Sequence, residues 1–342
     1  MAVQSADIVG KTLAGRYEIL SFDREEELGA VFHGRDLNQG TRVSVKVLHP
    51  FLTEDREKFK RFGREITNTW MVAHQNTVEV LDWGDEGEIY YLVMESLKAH
   101  PLRDELQLGP LDTERVARIT AQIAAAIGAA HQEGIVHRSL SLDSILLLEN
   151  VEEGDFVKVR DFSLSKLEKA EGEETALTAH GDRVGNMDYM PPEYIETGTY
   201  PTKGDLYALG ALMFHMLTGR PPFVGTSVKV MQAHVSQSPA PPSSITAGIP
   251  QWMDELVLEL LQKAPEKRPG AYRVVQRLET GIGTSLDRPK LLMLDENGEV
   301  VVPKATPMIA IVLGVGLLVL TASAILIVAL VVIGVAIILL GS

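Results

Sequence analysis

The sequence predicts an α+β protein of two lobes, a small β-rich lobe followed by a larger helical one, with a transmembrane helix at its C-terminus. Three observations predict it. Short runs rich in β-branched residues fill the N-terminal part. The apolar spacing then changes to that of helices. Strands first and helices later is the order of an α+β chain. Finally, residues 308–340 are 33 positions without one charge.

The elements follow in order. Residues 16–20, 31–34 and 41–48 read as strands, and 89–94 as another after the turn Gly84-Asp85-Glu86-Gly87. Residues 54–73 are charged and amphipathic, as on a surface helix. Residues 113–132 are Ala- and Ile-rich with Asp112 placed to cap them. Residues 205–217 are apolar nearly all round, which predicts a buried helix. Residues 252–262 and 272–278 are amphipathic. Residues 236–250 hold Pro239, Pro241, Pro242 and Pro250 and read as a loop. Near the end, two apolar runs flank Asp295-Glu296-Asn297-Gly298-Glu299, and Asn-Gly in that setting predicts a β-hairpin.

As a helix, residues 308–340 would measure about 50 Å, more than the ~30 Å hydrocarbon core. We read one tilted span; a two-helix hairpin is the alternative, although Thr321-Ala322-Ser323 is a poor turn. Arg288, Lys290 and Lys304 precede the span, which places the large N-terminal part in the cytoplasm. Residues 1–14 lack the basic start and apolar run of a secretion signal. The chain has 342 residues and a formal charge of -14, which argues against a nucleic-acid surface. It has no cysteine, so disulfides and thiolate metal sites are excluded.

Several motifs stand in a telling order: Val43-Ser44-Val45-Lys46, Arg64-Glu65-Ile66, His74-Gln75-Asn76-Thr77-Val78, Val93-Met94-Glu95, His137-Arg138-Ser139-Leu140, Asp161-Phe162-Ser163, Pro191-Pro192-Glu193, Asp205-Leu206-Tyr207-Ala208-Leu209-Gly210 and Arg268-Pro269. Over residues 16–280 they resemble the protein kinase family, and most of all its bacterial membrane-anchored Ser/Thr kinases. The resemblance implies a protein-kinase-like fold with an N-lobe at 16–98 and a C-lobe at 99–280, after an N-terminal segment at 1–15. A juxtamembrane linker at 281–307 then leads to the span at 308–340. It implies that Gly29, Val31, Lys46, Glu65 and Glu95 contact ATP and that Asp161 binds Mg²⁺. The pair Lys46 and Glu65 serves either the phosphates or only the packing of a helix. Glu193 with Arg268, and Asp205, are expected to be structural.

The chemical positions depart from the family pattern H-R-D-L-K-P-E-N. Ser139 stands at the catalytic aspartate, Ser141 at the lysine and Ser144 at the metal-binding asparagine. Asp143, at the glutamate position, should point elsewhere. Of the three glycines in the phosphate loop only Gly29 is kept, with Arg24 and Glu26 at the first two positions. Glu25, Glu26 and Glu27 either repel a nucleotide or swing into solvent. Ser163 replaces the glycine of D-F-G, and Asn186 the threonine before the end of the activation segment. Thr175 and Thr178 stand where phosphorylation is common, amid glutamates that already supply negative charge. Base removal alone costs about 10²–10⁴-fold. The expected protein is therefore a membrane-tethered pseudokinase that holds Mg-ATP weakly or not at all and binds cytoplasmic partners, an active kinase among them. The alternative is an ATP-dependent Ser/Thr kinase of low or unorthodox activity.

Overall fold

Alternation decides which face of the first sheet is buried. The computed structural model describes residues 8–26, 29–48, 74–87, 89–149, 151, 154–162, 187–283, 293–294 and 300–301. Strands β1 (Thr12–Leu13), β2 (Tyr17–Glu26), β3 (Gly29–Asp36), β4 (Arg42–Leu48), β5 (Val80–Glu86) and β6 (Ile89–Glu95) form a sheet in the order β1-β2-β3-β4-β6-β5. Every neighbouring pair is antiparallel. Val43, Val45 and Val47 lie on one face of β4 and pack with Phe32, Tyr91 and Val93 in the core. Lys46 falls on the other face, in register between Val31 and Leu92. Period two thus puts a cation on the face opposite the three valines, where Val31 and Leu92 bury it.

Two expectations about strands need correction. The strand expected at 16–20 runs on to Glu26, through the segment aligned with the phosphate loop. Arg24 pairs with Val31, Glu25 with Ala30 and Glu26 with Gly29. Residues with side chains hold an extended ladder where glycines would not, because glycine loses most conformational freedom on being fixed. Gly29 itself is required: a Cβ there would lie 2.1 Å from the Val47 carbonyl oxygen. Of the turn placed at 84–87, residues 84–86 are instead the end of β5, since Gly84 pairs with Tyr91 and Glu86 with Ile89, while Gly87 does turn, with a φ of 67°. Gly84 is there for close approach, as its Cβ would meet the Tyr91 hydroxyl at 2.6 Å.

The larger lobe is built on helices α1 (Leu102–Leu106), α2 (Thr113–Gln132), α3 (Pro192–Thr197), α4 (Thr202–Thr218), α5 (Ser227–Ser236), α6 (Gln251–Leu260) and α7 (Ala271–Ile282). Asp112 caps α2 as expected, accepting from the Arg115 amide at 2.9 Å. Helix α4 is buried along almost its whole length. Gly210 lets it approach α6, since a Cβ there would lie 2.6 Å from the Leu260 Cβ. A three-stranded sheet, β7 (Ala99–Pro101), β8 (Ile145–Leu148) and β9 (Val157–Val159), holds the loops of the candidate site. The 74–78 motif joins it: Val78 donates to the Val159 carbonyl, and the Asn76 side chain to the Val157 carbonyl at 2.8 Å.

A second compact unit covers residues 292–342. In it β10 (Met293–Leu294) pairs antiparallel with β11 (Val300–Val301), on either side of the Asn-Gly segment. Among the described residues no helix is long and apolar enough to cross a membrane. The expected span at 308–340, the helix at 54–73 with Glu65, and Ser163, Thr175, Thr178 and Asn186 lie outside the described residues.

Candidate active site

Asp205, at the start of α4, organises the loop that carries Ser139. Its carboxylate accepts from the His137 amide at 2.8 Å, the Arg138 amide at 2.9 Å and His131 Nε2 at 2.8 Å. The buried carboxylate can turn no further, so the loop backbone is fixed. Arg138 takes a φ of 67° and Asp161 a φ of 69°. Both are non-glycine residues in the left-handed region, a strain that surrounding contacts must hold. His137 is one of those contacts. Burial lowers its pKa despite the pull of Asp205 and Asp161. The neutral ring bonds through Nε2 to the Arg160 carbonyl at 2.9 Å and meets Phe162 edge to face at 4.6 Å.

Lys46 and Asp161 come together. The Lys46 Nζ donates to Asp161 Oδ1 at 2.9 Å, with the lysine side chain 2% exposed. Arg160 approaches the other oxygen, its Nε 3.6 Å from Oδ2. Burial pushes the Asp161 carboxyl upward, but Lys46 and then Arg160 outweigh it, and it lies below the usual carboxylate range. Arg160 escaped the sequence reading. Its one signal is position: a charged residue directly before Asp161, at the end of a strand of buried residues.

The serine positions close on each other. Ser144 Oγ accepts from the Ser141 amide at 2.9 Å and donates to the Ser141 carbonyl at 2.9 Å. Ser144 is 5% exposed, and its own carbonyl accepts from the Arg160 amide. Ser139 is half-buried and brings no carboxylate. Asp143 does point elsewhere, with both oxygens on the Arg103 guanidinium, one of them at 2.6 Å. The Glu95 side chain is committed to the scaffold: its Oε1 accepts from Lys158 Nζ at 2.7 Å and from the Glu79 amide at 2.9 Å. Gly29 and Val31 line up on β3, Val31 directly across from Lys46.

The donor set does not fit a divalent cation. Mg²⁺ asks for carboxylate and water oxygens at about 2.0–2.1 Å. Asp161 carries a cation near each oxygen, and Ser144 is occupied by its own loop. A +2 ion and a guanidinium about 4 Å apart repel by about 2 kcal/mol even in water. Among the described residues no three His, Asp or Glu side chains gather to hold a metal.

Below the site, Glu193 and Arg268 pair as expected, at 2.6 and 2.7 Å. Arg268 also donates to the carbonyls of Gln262, Lys203 and Lys263.

A family model described as the protein kinase domain matches residues 26–278. Serine/threonine-protein kinase pkn3 of Myxococcus xanthus is 34% identical over 78% of the chain and 49% of its own length. Serine/threonine-protein kinase PrkC of Bacillus subtilis is 31% identical over 83% of the chain and 42% of its length. Serine/threonine-protein kinase PknB of Mycolicibacterium smegmatis is 33% identical over 82% and 45%. The chain thus spans under half of each relative. The kinase domain structure of Mycobacterium tuberculosis PknI superposes with a TM-score of 0.61 at 20% identity, over 80% of this chain and 98% of that one. That family generally uses ATP and Mg²⁺. By sequence and by fold, this chain belongs to the protein kinase family, within its bacterial serine/threonine branch.

Proposed function

We propose that the chain is a membrane-tethered signalling module of kinase fold in which phosphoryl transfer is impaired and ATP is held weakly. One observation carries this. Among the described residues of the loop no carboxylate is offered where the substrate hydroxyl would lose its proton: Ser139 has none, and Asp143 is held by Arg103. Ser141 also lacks the lysine charge that would steady the transferred phosphoryl group. What remains is a folded scaffold that binds cytoplasmic proteins, an active kinase among them. Residues 308–340 tether it to the cell membrane as a single span. Its acidity disfavours nucleic acid as a partner.

A second reading, an ATP-dependent Ser/Thr kinase of low or unorthodox activity, is favoured by the relatives, which are serine/threonine-protein kinases, and by the kept contact of Lys46 with Asp161. Transfer of phosphate from Mg-ATP to a generic Ser/Thr protein by the full chain decides between them. The expected rate is at background, about 10²–10⁴-fold below that of a related active kinase. Robust transfer that disappears in Lys46→Ala overturns the first reading and establishes the second.

A further inference from the structure

We propose that Lys158 clips the larger lobe to the connection between the lobes, so that the two lobes turn relative to each other only when its contact with Glu95 is broken. The inference goes beyond the impaired-transfer reading and is independent of whether phosphate is transferred.

It starts from an odd residue in a buried strand. Val157 and Val159 on β9 are wholly buried and belong to the core of the helical lobe. Lys158 between them takes the opposite face, by the two-residue period of a strand. It is nonetheless only 8% exposed. An ammonium withdrawn from water needs partners. The Lys158 Nζ donates to Glu95 Oε1 at 2.7 Å and to the Thr77 carbonyl at 3.0 Å.

Those partners lie at the base of the small lobe. Glu95 is the last residue of β6, and the chain passes from it through residues 96–98 into β7 of the other lobe. Glu95 is also fastened to Glu79, the residue before β5. Its amide donates to the Glu79 carbonyl at 3.0 Å, and its Oε1 accepts from the Glu79 amide at 2.9 Å. One carboxylate oxygen therefore joins the feet of two small-lobe strands to a strand of the larger lobe. Backbone contacts lie alongside. Thr77 bridges to Val159, the Val78 amide donates to the Val159 carbonyl at 2.9 Å, and the Val159 amide donates to the Asn76 carbonyl at 2.8 Å.

Rotation about residues 96–98 carries Glu95 away from β9 and must stretch the Lys158 contact. That contact is charge-assisted and largely shielded from water, its two side chains 11% and 23% exposed. Strand β9 then runs on into Arg160 and Asp161, so the strand clipped to the connection also carries the carboxylate of the cleft. The opening of the cleft is thereby set by this pair.

The test is a spin-label distance measurement, by double electron–electron resonance, on the full chain in detergent. The chain has no cysteine, so Gln39→Cys in the small lobe and Gln232→Cys on α5 supply two labelling sites, both exposed. The distance distribution is recorded in this labelled protein and in it with Lys158→Met, Glu95→Gln or Arg115→Met added. Arg115→Met is the control, since it breaks pairs with Glu105 and Asp155 inside the larger lobe. Thermal melts confirm that each variant is folded. The labelled protein alone should give one narrow distribution. Lys158→Met should widen it at least about twofold or add a second distance, Glu95→Gln should widen it less, and Arg115→Met should leave it unchanged. Two results overturn the proposal: Lys158→Met no wider than the unmutated pair, whether both are narrow or both broad, or Arg115→Met widening as much as Lys158→Met. If Lys158→Met fails to fold, Glu95→Gln decides, and no widening there sinks the clip.

Discussion

Arg268 and Lys46 are both cations sealed from solvent against a carboxylate, and their surroundings differ in kind. Arg268 is wholly buried and spends its donors on Glu193 and on three backbone carbonyls. Its partner sits at the start of a regular helix, α3. Lys46 meets Asp161 on a backbone with positive φ, and a second cation crowds the same carboxylate. Geometry around Arg268 is over-determined by neighbours that need nothing from a ligand. Geometry around Asp161 is held by strain and by like charges set close together. A fold can keep the first arrangement for stability alone, while the second makes physical sense only where something binds or once bound.

The largest effect that would break this contrast comes from truncating the two cations. Arg268→Ala leaves the part-buried Glu193 and three backbone carbonyls without their partner and should lower unfolding free energy by about 3–5 kcal/mol. Lys46→Met removes the charged hydrogen bond to Asp161 but leaves Arg160 beside that carboxylate, and the expected loss is smaller, about 1.5–3 kcal/mol. Denaturant unfolding of both variants checks the order. If Lys46→Met costs as much as Arg268→Ala, the cleft is as much a structural keystone as the lobe beneath it.

Much of this was legible before any coordinates. The Val43-Ser44-Val45-Lys46 run fixed by period two which face Lys46 takes, and the 113–132 helix with its Asp112 cap appears as read. The pairing of Glu193 with Arg268 followed from family motifs. Other features resisted for physical reasons. Gly84 was taken as a turn residue because glycine relaxes two different constraints, backbone angle and close approach, and a sequence does not say which. The extension of β2 to Glu26 depends on partners in β3, which local propensity does not contain. Arg160 was passed over because its meaning lies in what it faces, namely Asp161. Arg103 was missed likewise, since its partner Asp143 is 40 residues away.

A middle-sized effect concerns acid. His234 is fully buried, accepts or donates through Nδ1 to the Tyr207 hydroxyl at 2.8 Å, and packs edge to face on Phe223. Burial, and then the nearby Lys263, lower its pKa from 6.5 to about 3. A base with a depressed folded pKa stays neutral in the fold while the unfolded chain takes up a proton. Stability is therefore lost as pH falls from 6.5 towards 3. From pH 7 to pH 5 this group should remove about 2 kcal/mol. Urea unfolding at the two pH values checks it. His234→Asn should be less stable at pH 7 and should lose less on acidification. An equal loss in both proteins would place the acid sensitivity at other buried groups, such as His215 on α4, whose pKa burial lowers to about 4.

The smallest effect is the sharpest for the chemistry. Asp143 is paired with Arg103 in the open, their side chains 45% and 48% exposed. Such pairs are worth about 0–1 kcal/mol, because water screens them and both side chains lose freedom. Asp143→Ala should therefore leave the melting temperature almost unchanged. It should also leave any trace of phosphate transfer unchanged, since a carboxylate locked in a two-point contact with Arg103 is unavailable to take a proton from a hydroxyl at Ser139's position. A variant that folds as the wild type but loses a measurable trace of transfer would mean that Asp143 leaves Arg103 when substrate arrives and serves as a surrogate base. The emptied loop would then have moved its carboxylate by four residues rather than given it up.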